Sequence, residues 1–475
     1  MAIQYQRGQK IVLELEKIVA GGVAMGRLPD WRPVFVKGGA PHEQAEVRLT
    51  RIKKDFVEAQ FLAALRPSPD RVEAPFPEPA LGGANWHYLS YTAQLAAKGS
   101  ILKETLQKIG QLTQPEIQAI VPSPTEWRYR NKIELTFGVN ERGKPALGFH
   151  IPGRFDEILP TDDVALFPEI IQSIISTICD WANRENLTVY DPRKKQGLLR
   201  NLVVRRAEHG SDLVLNLITA PGTIPEDSLL LALNSLPITG LVWSQNDSQA
   251  TIVRVDQLKV LAGSPRITET FLGQKISYDV DSFFQTHTTM AERLATVLFE
   301  RLASHTTSGI QPLGLNTRGL QNQLVIDGYA GVGGFGLFVA AAGIPVISIE
   351  SHPASSADAI KNAEQFGVAD RMTFINQTME SYLVEAKNLQ PKNLRTSLII
   401  DPPRAGLHPK ALQAIQDSPL REVFYVSCNP ATLARDLSFF TSHSSPFTPI
   451  FIQPFDLFPQ TPHLETLVEL KRSKM

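Results

Sequence analysis

Between residues 8 and 65, short apolar runs alternate with polar positions. Ile11-Val12-Leu13-Glu14-Leu15, Pro33-Val34-Phe35-Val36 and Ala45-Glu46-Val47-Arg48-Leu49 predict strands, punctuated by Gly21-Gly22 and Gly38-Gly39. Short strands at this spacing predict a compact barrel of the OB type. The pattern then lapses. Arg66-Pro67-Ser68-Pro69-Asp70 and Ala74-Pro75-Phe76-Pro77-Glu78-Pro79 carry too much proline for a regular element and predict a linker or an extended surface segment. From Leu89 to Ile109 the period becomes helical, with Leu95, Leu102, Leu106 and Ile109 as its apolar positions. Strands and short helices follow from Trp127 to about residue 270, a central region of α+β type without an internal repeat. A helix after Asp281 shows Met290, Leu294, Val297 and Leu298 on one face. Further on, Leu324-Val325-Ile326, Pro345-Val346-Ile347-Ser348-Ile349, Ser397-Leu398-Ile399-Ile400 and Phe424-Tyr425-Val426 are strands with helical stretches between them. That alternation predicts a mostly parallel, doubly wound α/β sheet, with its ligand at the carboxyl ends of the strands.

Composition changes this picture little. A chain of 475 residues exceeds one core, so two or three domains are expected. Hydrophobic content of 43% and charge of 20% are those of a soluble globular protein. The net charge of −1 means that any nucleic-acid binding rests on local basic patches. Arg48, Arg51, Lys53 and Lys54 form one such cluster; it reads equally as a solvated face or as a phosphate-contacting surface. Trp127-Arg128-Tyr129-Arg130-Asn131-Lys132, Arg193-Lys194-Lys195, Arg200, Arg205 and Arg206 interleave cations with aromatics, a pattern that suits base stacking and phosphate pairing, or a solvated strand edge. Two cysteines, Cys179 and Cys428, exclude a disulfide framework and fit the reducing cytoplasm. The first residues, Met1 to Arg7, lack the apolar core of a signal peptide. Gly328 to Ile349 holds no charge, but its five glycines up to Gly336 and Pro345 suit a loop, a buried helix and a strand, so no membrane span is expected.

Four strand ends carry marked residues. The first opens Asp327-Gly328-Tyr329-Ala330-Gly331-Val332-Gly333-Gly334-Phe335-Gly336; glycines such as Gly331 and Gly333 let a nucleotide approach the backbone closely. The second ends in Glu350, placed to accept the ribose hydroxyls of an adenosine. Together they fit NAD or S-adenosylmethionine; Asp327 and the later motifs favour the methyl donor. The third ends in Asp401-Pro402-Pro403-Arg404-Ala405-Gly406. Amino-group methyltransferases carry an aromatic after the prolines, where this chain has Arg404. The fourth is Ser427-Cys428-Asn429-Pro430, between a strand and a helix N-terminus. Exposed N–H groups and the helix dipole there are expected to lower the thiol pKa; the plainer alternative is a buried structural cysteine. A thiolate near a methyl donor suits attack on a pyrimidine, because carbon 5 of uracil becomes nucleophilic only after addition at carbon 6. The carbon-5 proton then needs a base. His463 and Glu465, two apart in an extended segment and so on one face, are candidates. Phe283-Phe284-Gln285 reads either as core with a capped turn or as an aromatic face and an amide at a pocket edge.

These motifs, in this order, resemble the RNA uracil-5-methyltransferase family along nearly the whole chain. The resemblance implies a Rossmann-like, class I methyltransferase domain over 271–475. It also implies an N-terminal OB-like barrel of the TRAM type over 1–66, and a central α+β RNA-binding domain over 67–270 that includes the linker 67–88. It implies Cys428 as the nucleophile and Glu465 as the base. Gln285, Tyr329, Glu350 and Asp401, with the glycine loop at Gly331 and Gly333, are implied as the S-adenosylmethionine site. The barrel favours the ribosomal branch, hence large-subunit (23S) ribosomal RNA as the partner, with transfer RNA as the alternative and a monomer expected. A non-catalytic RNA-binding assembly factor is the other class of function; the intact nucleophile, loop and base oppose it. One departure stands out. Many ribosomal-branch members hold an iron–sulfur cluster on four cysteines. Here Pro75, Leu81 and Ala84 stand at three of those places, and no cysteine lies near Asp163. Such a cluster needs thiolates, so no iron–sulfur cluster and no metal are expected, with packing through Phe76 and Leu81 in its place.

Overall fold

The computed structural model describes residues 5–151, 153–154, 156–248, 257–304, 323–385, 395–441 and 445–473. Met1 to Gln4 of the N-terminal stretch lie outside them.

Five strands, β1 (Lys10–Val19), β2 (Val23–Arg27), β3 (Pro33–Lys37), β4 (Gln44–Ile52) and β5 (Val57–Arg66), close into a barrel in the order β1-β2-β3-β5-β4. Only β3 and β5 run parallel; the other pairs are antiparallel. Alternate residues such as Leu13, Leu15, Val34, Val36, Val47 and Leu49 fill the interior, as a small closed barrel requires. The proline-rich stretch that follows is extended, with one 3-10 turn at Glu78–Leu81, yet it is held firmly. Arg71 pairs with the buried Glu43, donates to the Gly38 carbonyl at 2.8 Å, and lies 4.4 Å and 4.9 Å from the rings of Phe61 and Tyr88. Trp86 donates its indole N–H to the Gly22 carbonyl at 2.9 Å.

Helix α1 (Tyr91–Lys108) is capped by Ser90, whose hydroxyl accepts the Ala93 N–H at 3.3 Å. Its buried face differs from the expected one. Leu102 and Leu106 are buried, but Leu95 is only partly so, Ile109 is 47% exposed, and Gln94 and Lys98 are buried in their stead. Their partners are far away in sequence. Lys98 donates to Asp456 Oδ1 at 2.6 Å and to the Phe458 carbonyl at 3.1 Å, and Gln94 exchanges two bonds with Gln460 at 2.8 Å and 2.9 Å.

The central sheet has β6 (Lys132–Val139), β7 (Pro145–His150), β8 (Ile158–Pro160), β9 (Leu199–Arg206), β10 (Leu213–Thr219), β11 (Gly240–Gln245) and β12 (Gln257–Gly263), in the order β12-β11-β10-β9-β6-β7-β8. Helices α2 (Ile170–Arg184) and α3 (Glu226–Leu233) share one core with it. Several cations considered for RNA stacking serve this fold instead. Arg128 pairs with Asp163 at 2.6 Å and lies 4.7 Å from the Phe76 ring. Arg200 is buried, donating to the Asn246 and Ser248 carbonyls at 2.7 Å and 2.8 Å. Arg205 is buried and donates to the Ser282 carbonyl at 2.6 Å. Their charges are spent mainly on main-chain oxygens and a carboxylate inside the protein, as removal of a guanidinium from water requires, although Arg205 Nε keeps no partner among the described residues.

A hairpin, β13 (Arg266–Phe271) and β14 (Gln274–Asp279), contains both residues 270 and 271, where the expected domain boundary falls. It shares a core with α4 (Thr288–Ser304) and the C-terminal sheet. That sheet is built from β15 (Gln323–Gly328), α5 (Gly336–Ala341), β16 (Val346–Ile349), α6 (Pro353–Phe366), β17 (Met372–Ile375), α7 (Met379–Glu385), β18 (Arg395–Ile400), α8 (Pro409–Asp417), β19 (Glu422–Ser427), α9 (Pro430–Phe440), β20 (Phe447–Phe455) and β21 (Glu465–Arg472). Its strand order is β17-β16-β15-β18-β19-β21-β20. The first five are parallel, as expected from the alternation of strands and helices. Successive residues face opposite layers: Val325, Ile399 and Phe424 join α4 and the hairpin, while Ile326, Leu398 and Tyr425 join α1, α8 and α9. The antiparallel β21 and β20 had no sequence expectation. The Gln118 and Val121 N–H groups donate to the Ile452 and Pro454 carbonyls at 2.9 Å and 3.0 Å, covering the outer edge of β20. Among the described residues no helix is long and apolar enough to cross a membrane.

Both side chains of the Lys98–Asp456 pair are fully buried. Lys98→Ala strands a carboxylate in the interior and is expected to destabilise the protein by about 3–5 kcal/mol in urea denaturation. Lys98→Met with Asp456→Leu should recover much of that loss, because no charge is then left unpaired.

Candidate active site

Register sets the site. Gly328 pairs with Ile349 on one side and with Ile400 on the other. One residue further along, Tyr329, Glu350 and Asp401 stand in a row across three neighbouring strands. On the next strand pair, Ser427 is opposite Thr466, so the antiparallel register brings Cys428 opposite Glu465. Five of the residues singled out from the sequence are thus gathered at one edge of one sheet.

The glycine loop is held open by hydrogen bonds. Glu350 accepts the Gly331 N–H at 2.8 Å and the His352 N–H at 2.6 Å; the buried Asp327 accepts the Gly336 N–H at 2.8 Å. Burial pushes Asp327 up to about 7, opposed by that Gly336 bond. Tyr329 and Gly331 both have positive φ, 60° and 56°. A Cβ on Gly331 would meet only the Phe283 carbonyl, 4.0 Å away, so the backbone there is open to a ligand. Gly333 differs: a Cβ would come within 3.0 Å of Leu337, and its role is packing of the loop on α5. Above the loop is a cleft of about 620 Å³, lined by Phe283, Gln285, Tyr329, Gly331, Phe335 and Asp401, among others. Glu350, Gly333, Cys428 and Glu465 do not line it.

Both readings of Phe283-Phe284-Gln285 hold, one for each part. Phe284 is core, stacked on Tyr278 with ring centroids 4.7 Å apart. Phe283 is 61% exposed at the cleft, and Gln285 donates to Asp401 Oδ2 at 3.0 Å. The central sheet aims this segment: Asn131 donates to the Gln285 carbonyl at 2.8 Å, and Arg205 to that of Ser282 at 2.6 Å.

The thiol corrects the expectation for Cys428. It does sit between β19 and α9, but its pKa is raised, to about 11. Burial is the main cause, with the carboxyls of Glu465 and Asp401 adding to it and Arg404 opposing. Asn429 caps the helix: its amide oxygen accepts the Ala431 N–H at 3.1 Å. Asn429 and Thr432 also donate to the Arg404 carbonyl, at 3.2 Å and 3.3 Å, tying the Asp-Pro-Pro-Arg loop to the Cys428 turn. Burial raises Asp401 to about 7, against the Gln285 hydrogen bond. Glu465 is buried, its Oε1 has no partner among the described residues, and burial with the nearby Asp401 holds its pKa well above the carboxylate range. Two like charges this close titrate as a pair, and the pair retains a proton near neutral pH. His463, the other candidate base, packs edge-on to Phe458 and is pushed down to about 4 by burial and then by Arg404, Lys98 and Arg130.

Where four cysteines would hold a cluster, side chains pack. Leu81 and Ala84 join Tyr129, Ala165 and Leu166 in a small core, flanked by Phe76 and Trp127, whose ring centroids are 5.2 Å apart. Asp163 is engaged by Arg128.

Comparison with known proteins shows the family to which the chain belongs. Residues 315–473 match the family model for tRNA (uracil-5-)-methyltransferase. An "uncharacterized RNA methyltransferase" of Caldanaerobacter subterraneus is 31% identical over 98% of this chain and 100% of its own length. Another, from Gloeobacter violaceus, is 30% identical over 98% of this chain and 97% of its own. The chain belongs to the RNA uracil-5-methyltransferase family. Enzymes of this family are S-adenosylmethionine-dependent methyltransferases acting on RNA. The fold is shared with Pyrococcus abyssi tRNA (uracil-54, C5)-methyltransferase in its complex with S-adenosyl-L-homocysteine. That structure has a TM-score of 0.72 and 24% identity, and the match covers 97% of this chain and 100% of the other.

For a uracil-5-methyltransferase, the cleft residues fit the cofactor. Aromatic walls at Phe283 and Phe335 suit a base, the open side of Gly331 admits a close approach, and Gln285 and Asp401 offer polar groups. Sequence reasoning missed two supports of this site. Asp436 accepts from Tyr425 and from the Leu407 N–H, each at 2.8 Å, and so braces the Cys428 strand and the Asp-Pro-Pro-Arg loop together. Residues 456–460, leading into Glu465, are held by Lys98, Gln94 and the hydroxyl of Tyr129, which donates to the Pro459 carbonyl at 3.1 Å. A lysine and a glutamine on the buried side of a helix were the available signal.

The thiol environment has a direct consequence. Alkylation of Cys428 by iodoacetamide in the free protein should be slow at neutral pH and climb toward the raised pKa of about 11. Glu465→Gln removes a negative charge beside the thiol, so the climb should move to lower pH. Mass spectrometry of the alkylated peptide checks both, with Cys428→Ser as the blank.

Proposed function

We propose that this protein forms 5-methyluridine in RNA through a transient bond between Cys428 and uracil. The observation that carries the proposal is the register that sets Cys428 against Glu465, beside Asp401 at the cleft. The target uridine leaves its stack to enter the site. The Cys428 thiol gives up its proton, and the sulfur adds to carbon 6 of the ring. That proton passes to water, because the carboxyl pair already holds one proton and its remaining carboxylate is needed for the carbon-5 proton. Addition turns carbon 5 into an enolate carbon. When bound, S-adenosylmethionine supplies an electrophilic methyl group on its sulfonium sulfur. Gln285, Tyr329, Gly331, Glu350 and Asp401 are its proposed holders. Glu465, as carboxylate, takes the proton from carbon 5. The carbon–sulfur bond then breaks, the 5,6 double bond returns, and the thiolate is released.

For the target, large-subunit ribosomal RNA is the first reading, on the sequence resemblance. One observation favours transfer RNA: the Pyrococcus abyssi enzyme, a transfer-RNA methyltransferase, shares the fold over 97% of this chain, so the barrel alone does not choose the ribosomal branch. Mass spectrometry of ribosomal and transfer RNA from cells lacking the gene decides between them.

Cys428→Ser should abolish methyl transfer while leaving S-adenosylmethionine binding intact; 5-methyluridine from that variant would rule out the covalent route. Glu465→Gln should accumulate a protein–RNA adduct that survives a denaturing gel. Because the base must be ionised, and burial beside Asp401 holds Glu465 well above the usual carboxylate range, single-turnover transfer should rise as pH increases from that range through neutrality. A flat profile across that range would count against Glu465.

A further inference from the structure

Trp31 is 75% exposed at the tip of the β2–β3 hairpin. The turn is closed by the Trp31 N–H donating to the Leu28 carbonyl at 2.9 Å and the Leu28 N–H to that of Arg32 at 3.0 Å. Trp31 takes its left-handed position, with φ 68°. Glycine or asparagine adopts that conformation readily; a large side chain does so only under strain. Here the strain is not offset by burial of the ring. Strain of this kind, kept at an exposed position, directs attention to binding.

The surroundings say what would bind. The Arg27 guanidinium lies over one face of the indole, 5.9 Å from the ring centroid, and donates to the Trp31 carbonyl at 3.4 Å. Arg32, paired with Asp30 at 2.8 Å, donates to the Lys53 carbonyl at 3.3 Å. That bond brings the β4–β5 turn, with exposed Lys53 and Lys54, against the Trp31 tip. Neither lysine has an ion-pair partner among the described residues, whereas Arg27 and Arg51 are matched by Glu16 and Glu58 at 3.3 Å each. An aromatic face backed by a cation, next to two unmatched lysines, is complementary to an unpaired nucleobase flanked by phosphates.

We propose that the Trp31 tip is an RNA contact outside the methyl-transfer site: one unpaired base stacks on the indole, and Lys53 and Lys54 hold adjoining phosphates. This rests on the reading of the protein as an RNA methyltransferase. It gives the basic cluster at the end of the barrel a function that the catalytic cleft does not use.

The test uses the full-length protein and a single-stranded oligouridine of about 16 nucleotides. Trp31→Ala should weaken binding about tenfold, and Trp31→Phe, which keeps a stacking face, should restore most of it. Trp86, Trp181 and Trp243 are buried and Trp127 is partly so, which leaves Trp31 the most exposed of the five tryptophans; its share of the acrylamide-quenchable emission, read as the difference from Trp31→Phe, should become shielded when RNA is added. Lys53→Ala with Lys54→Ala should flatten the slope of log affinity against log salt by about 1.4. With substrate RNA, Trp31→Ala should raise KM and leave kcat near that of the wild type. If the wild type binds and Trp31→Ala binds equally well, the proposal is overturned and the uracil-methylation reading stands. If the wild type binds no oligouridine, the proposal is likewise overturned, while formation of 5-methyluridine in substrate RNA tests the methylation reading separately.

Discussion

A buried ion pair, Lys98 with Asp456, is the constraint on which the site's geometry depends. Neither group keeps solvent contact, and an unpaired charge at that depth costs several kcal/mol. The pair therefore fixes α1, from the N-terminal half, against the loop that leads into β21. Gln94 and Gln460 repeat the tie one turn earlier, and Tyr129 adds a third from the central region. The residues that follow this loop include Glu465. Glu465 thus owes its position to side chains more than 300 residues upstream, and the three parts of the chain act as one scaffold for one carboxylate.

The sheet edge does the rest. Parallel strands carry Tyr329, Glu350 and Asp401 to a common row, and an inserted antiparallel strand carries Glu465 back to Cys428. A one-residue slip of β21 would turn Glu465 to the other face, so the apolar residues Leu467, Val468 and Leu470, all buried, define the chemistry as well as the core. The resulting site is poor in positive charge. A thiol pushed up and two carboxyls that resist ionisation share one small volume, with Arg404 the cation that opposes them at the thiol. Proton placement in the resting site is therefore a property of the group and not of any one residue.

The barrel and the central sheet differ in how they use arginine. In the central region Arg128, Arg200 and Arg205 are consumed by Asp163 and by main-chain oxygens, and Arg205, through the Ser282 carbonyl, helps to hold the segment bearing Gln285. On the barrel, Lys53 and Lys54 remain available. Composition alone treats these cations alike. Burial separates them, because a guanidinium away from water must find acceptors inside the protein.

Local pattern determined much of this protein. Alternation of apolar residues with glycine punctuation specified the barrel, and four apolar runs separated by helical stretches specified four of the five parallel strands, the edge strand β17 being unread. Glycines, Asp-Pro-Pro and Ser-Cys-Asn-Pro marked the strand ends as the site, because such ends are where backbone geometry demands special residues. Tertiary structure alone decided which polar residues α1 buries, where β20 and β21 insert, and which way the Cys428 pKa moves. Each of those depends on groups brought together from distant parts of the chain. The charge on a thiol follows its dielectric surroundings and its neighbours' charges, and neither is written in the residues beside it.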